Sequence, residues 1–138
     1  MQNKLAKGRI LLISSVVFVY LIVVNAFIFP LVFPDGLAEK FINSRPDPLP
    51  LFHVLAFAAT AVLLTLLVNK LSSASSSITS GLWGGVWLAL LVAVPEHLHL
   101  YAMTQASAIE QTIPVVWTVV TWGIAGMIVA AILKKRRG

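Results

Sequence analysis

The residues at 10–29, 51–68, 81–103 and 113–133 include only one Asp, Glu, Lys or Arg between them, Glu96. A helix needs about 20 mostly apolar residues to cross the roughly 30 Å hydrocarbon layer of a bilayer. Each run approaches or meets that length. In lipid, a backbone must satisfy its own hydrogen bonds, so runs of this kind fold as helices. The sequence therefore predicts an all-α fold: one domain, a four-helix transmembrane bundle. At 59% hydrophobic and 11% charged residues, the chain lies well beyond the roughly 45–50% apolar usage of soluble domains.

The charges fix an expected orientation. Lys4, Lys7, Arg9, Lys70 and the tail Lys134, Lys135, Arg136 and Arg137 supply eight of the ten basic residues. The other two, Lys40 and Arg45, share a loop with Asp35, Glu39 and Asp47. Basic residues favour the cytoplasmic side, so both termini are predicted to be cytoplasmic. The net charge of +5 is then a topology signal and an attraction for anionic lipid, not a nucleic-acid interface. The basic start followed by an apolar stretch also resembles a signal peptide with a site near Val24-Asn25-Ala26. Because the apolar run continues to Phe33, a retained first span is expected.

Between the first two spans, Pro30, Pro34, Pro46, Pro48 and Pro50 predict a long outer loop over 30–50. Within it, Leu37, Phe41 and Ile42 mark one amphipathic turn on the membrane surface. The serine-rich stretch at 72–80 reads as a flexible connector. The stretch at 104–112, with Glu110, reads as a polar turn before a fourth helix that carries Pro114 in its first turn.

Pro95-Glu96-His97-Leu98-His99-Leu100-Tyr101 is the chemically richest stretch. Ionisable side chains at membrane depth are costly and mark candidate sites. His53, Asn25 and Thr118 fall at a similar height, so all four helices bring polar groups to one outer layer. At 100° per residue, Gly81, Gly85, Leu88, Val92, Glu96, His99 and Met103 share about a quarter of the helix circumference. Gly81 and Gly85 form a GxxxG step, which lets another backbone approach closely. That face is expected to point into the bundle, with His97 turned toward another helix, the interface or a partner. Pro95 predicts a kink.

His53, Glu96 and His99, with His97 in reserve, form a chemically sensible mononuclear site for a metal ion such as zinc, copper or iron. Haem ligation by His53 with His97 or His99 is a further reading. A di-metal centre lacks a second intramembrane carboxylate. A proton-linked role for Glu96 with His99 lacks an acidic path to the cytoplasm. The plainer reading is a Glu–His hydrogen bond near the interface, with Tyr101 as a head-group anchor. There is no cysteine, no phosphate loop, no nucleophile elbow and no HExxH.

Gly81-Leu82-Trp83-Gly84-Gly85 and the stretch from Trp117-Thr118 to Ala125-Gly126, together with the long first outer loop, resemble small uncharacterised four-helix integral membrane proteins of prokaryotes. The resemblance covers most of the chain and implies a multi-pass protein of the prokaryotic cytoplasmic membrane, but no activity. The sequence thus points to a non-catalytic subunit surrounded by lipid, which packs with other membrane subunits or with itself. The alternatives are a metal- or haem-binding membrane protein and a small oligomeric transporter.

Overall fold

A computed structural model describes residues 2–33, 50–72, 77–103 and 106–135. Helix α1 (Gln2–Val23) passes through a π-helical stretch (Val24–Ile28) into a last α-helical turn (Phe29–Val32). Helices α2 (Pro50–Ser72), α3 (Ile78–Met103) and α4 (Ala108–Lys135) follow. The described residues are almost entirely helical and contain no strand. Four helices are each long and apolar enough to cross a membrane. Residues 34–49 of the outer loop expected over 30–50, with the amphipathic turn at 37–42, lie outside the described residues, as do residues 73–76 of the connector expected over 72–80.

Three of the boundaries that differ from the sequence expectation have a local reason. The first helix runs through Pro30 to Val32. Proline has no N–H to offer the carbonyl four residues back, and its ring crowds that carbonyl. A π turn just ahead of it loosens the helix there, with the Phe29 N–H bonding the Val24 carbonyl. The helix stops at Phe33, whose backbone is extended at φ −104° and ψ 142°, because a residue before proline is disfavoured in the helical region.

Helix α3 begins three residues early, at Ile78. The Ser77 hydroxyl accepts the Ser80 N–H at 3.1 Å, which caps the helix start. Helix α4 begins at Ala108 rather than 113. Ser107 and Glu110 form a reciprocal capping box. The Ser107 N–H donates to Glu110 Oε2 at 2.8 Å, and the Glu110 N–H donates to Ser107 Oγ at 3.3 Å. Pro114 is therefore inside the helix and not in its first turn.

The helices alternate in direction. Arg9 Nη2 donates to the Leu133 carbonyl at 3.0 Å, Tyr20 Oη to the Thr121 carbonyl at 3.2 Å, and Trp117 Nε1 to Asn25 Oδ1 at 3.2 Å. These three bonds zip α1 antiparallel to α4. Helix α3 packs most extensively on α4, α2 packs on the other three, and α1 and α3 barely meet. Ile13, Val17 and Leu21 of α1 close the core with Ala61, Leu64 and Val68 of α2 and Ala125, Val129 and Leu133 of α4. This core lies toward the end marked by Arg9 and Leu133. Helix α3 adds Leu88 to this core, and at Gly81 and Gly85 an added Cβ would strike the Gly126 and Trp122 carbonyls. Backbone therefore meets backbone between α3 and α4, the arrangement that small residues permit in membranes.

Candidate functional site

At the end of the bundle remote from Arg9, the helices present most of the ionisable and polar groups of the spans. Helix α1 supplies Asn25 from its π turn. Asn25 Nδ2 donates to the Leu21 carbonyl at 2.8 Å, and its Oδ1 accepts the Trp117 indole N–H. Trp117 is also packed edge-on against Phe29 and Phe33, with ring centroids 5.6 and 5.3 Å away. Phe33 and Trp117 border an open apolar groove of about 340 Å³, also lined by Ile109, Ile113, Val116 and Val120. Asn25 was expected in this layer; the π turn that presents it is signalled only by Pro30 five residues downstream. Thr118, the expected contribution of α4, turns back on its own helix and donates to the Pro114 carbonyl at 2.8 Å.

On α3 the residues of the Glu-His stretch take different surroundings. His97 is half-buried, with Nδ1 2.9 Å from Oε1 of the buried Gln111. It faces another helix, one of the directions expected for it. Glu96 and His99 are exposed and make no hydrogen bond or ion pair among the described residues. The small-residue stripe that α4 covers runs through Gly81, Gly85, Ala89 and Ala93 to His97, each four residues from the last and, up to Ala93, all buried. Four residues turn a helix by about 400°, so such a stripe drifts by about 40° per step. By Ala93 it has rotated away from the face of Glu96 and His99. The expected single inward face is thus divided. Its Gly81 and Gly85 half is buried against α4, whereas Val92, Glu96 and His99 are uncovered.

Helix α2 behaves similarly. Above Phe57, which packs on the core, Leu51, Phe52, Val54 and Leu55 are all exposed. His53 lies in the first turn of α2, and its side chain is outside the described residues. Among the described residues, no three His, Cys, Asp or Glu side chains come together to hold a metal ion. Among the described residues, the core closes the bundle toward the Arg9 end, and α2 and α3 carry exposed side chains at the other.

Gln111 is the residue that sequence reasoning missed. It was assigned to a polar turn, yet it is a buried helical residue paired with His97. The signal for it was the Ser107-x-x-Glu110 capping box, which starts the helix before Gln111.

Comparison with protein-family models, with curated proteins and with solved structures gives no match.

Proposed function

We propose that this chain is a non-catalytic integral membrane subunit of the prokaryotic cytoplasmic membrane, with both termini in the cytoplasm, that packs into a larger membrane assembly. The observation that carries this reading is the exposure of Glu96 and His99 on a helix apolar enough to span a bilayer. Their neighbours Leu91, Val92 and Leu98 are 71%, 44% and 65% exposed. A carboxylate facing lipid is costly and normally finds a polar partner. Nothing described in this chain supplies one. A neighbouring subunit does so without requiring any rearrangement of the core. The small share of buried residues in each span, at most 33%, leaves ample helix surface for lipid and for such a neighbour. The basic residues at the Arg9 end support its cytoplasmic placement.

The test is purification of the full chain from its native membrane in mild detergent. Co-purifying membrane subunits, or a stable oligomer, are the expected result. A monomer with no bound protein overturns the reading. The same sample is submitted to elemental analysis and absorption spectroscopy. A stoichiometric metal or a Soret band, lost on His53→Ala or His99→Ala, moves the chain instead to the cofactor-binding class.

A further inference from the structure

The uncovered face of α3 carries a pattern that is complementary to itself. Val92, Glu96 and His99 fall within about 60° of one another around the helix, and all three are exposed. An acceptor carboxylate and an imidazole three residues apart offer opposite hydrogen-bonding partners along one stripe. In a two-fold dimer the same patch meets itself, residue i touching j while j touches i. When the axis lies along the membrane normal, the two α3 helices run parallel and equal positions lie level. Glu96 of each copy then lies one turn from His99 of the other. Two equivalent Glu–His hydrogen bonds close across the axis, with Val92 packed below them.

We propose that the partner covering this face is a second copy of the chain, joined by reciprocal Glu96–His99 bonds across a two-fold axis at the far end of α3. This names the partner within the subunit reading above and rests on it. Hydrogen-bond complementarity between the carboxylate and the imidazole selects this occupant. A purely apolar partner leaves both polar groups unmatched, and lipid tails do the same. The neighbouring polar group on α3, His97, is turned to Gln111 of its own chain and does not compete for the stripe. The covered stripe from Gly81 to Ala93 holds α4 in place, so dimerisation uses a surface that the fold of the single chain does not need.

The chain contains no cysteine, so single-cysteine cross-linking reports on chosen positions without background. Val92→Cys lies on the proposed interface, and the exposed Val94 lies about 160° around the helix from it. In membranes, Val92→Cys is expected to give an oxidised dimer and Val94→Cys none. Glu96→Ala and His99→Ala in the Val92→Cys background are each expected to weaken dimerisation on the order of tenfold, read by subunit counting in vesicles of increasing lipid dilution. The swapped variant, Glu96→His with His99→Glu, restores it. All four positions are exposed, so the monomer fold survives the changes.

Cross-linking through Val94, or a dimer indifferent to both alanines, overturns the proposal. A cross-link that a chelator abolishes also overturns it, in favour of a metal bridging the two copies. A Val92→Cys adduct to a different protein defeats the second-copy assignment while the subunit reading stands. A monomer that captures nothing defeats both.

Discussion

Replacing Gly85 by alanine adds one methyl group where α3 and α4 touch through their backbones. The added Cβ overlaps the Trp122 carbonyl oxygen and sits 2.6 Å from the carbonyl carbon and 2.9 Å from Gly123 Cα. Carbon atoms rest about 3.5–4.0 Å apart, so the helices must separate by about 1 Å. A flexible side chain cannot yield here, because what is struck is backbone. Overpacking of this kind costs about 1–3 kcal/mol, while alanine regains about 0.5–1 kcal/mol over glycine in a helix interior. The net expectation for Gly85→Ala is a loss on the order of 1 kcal/mol. Gly81→Ala with Gly85→Ala strikes the same interface twice and loses on the order of 2 kcal/mol. Gly8, which has nothing within 4 Å of an added Cβ, is the control: Gly8→Ala keeps or raises stability. Reversible unfolding in mixed micelles with increasing denaturing detergent reads these differences. A Gly85→Ala protein as stable as the parent refutes the close backbone contact and the antiparallel register built on it.

Asn25→Ala removes the acceptor for the Trp117 indole and is expected to cost on the order of 1 kcal/mol, the upper range for hydrogen bonds inside membranes. Trp117→Phe removes the same bond from the other side, so the double variant should lose less than the sum, and a fully additive pair would contradict the contact. Glu110→Ala breaks the capping box with Ser107 and should cost about 1 kcal/mol with faster amide exchange over the first turn of α4, whereas Glu110→Gln keeps most of the protection. Single cysteines placed at Gly8 and at Asp35 should label from opposite sides of the membrane, Gly8→Cys from the cytoplasm; labelling from one side would contradict the orientation drawn from the basic residues.

The existence and number of the spans were legible in the sequence because membrane thickness sets a length that few soluble helices match. Their ends were less so. Each early start depends on a serine whose hydroxyl binds a backbone N–H, Ser77 for α3 and Ser107 for α4. A hydropathy reading counts those serines only as polar residues. Pro30 was taken as the start of a loop because proline is disfavoured in helix interiors, but a π turn one step earlier accommodates it. The Glu96 and His99 face was misjudged for a geometric reason. A helical wheel treats a face as constant along the axis, whereas α4 follows a four-residue stripe that rotates toward His97 as it climbs. His97, not Glu96, is therefore the residue of that cluster that meets Gln111.

In the intact membrane, protein and not lipid is expected to cover the Val92–Glu96–His99 face. A diazirine amino acid placed at Val92, activated by light in native membranes, captures whatever touches that face. The expected product is an adduct of protein mass that weakens when Glu96 is replaced by alanine. Lipid adducts alone, unchanged by Glu96→Ala, would contradict that coverage.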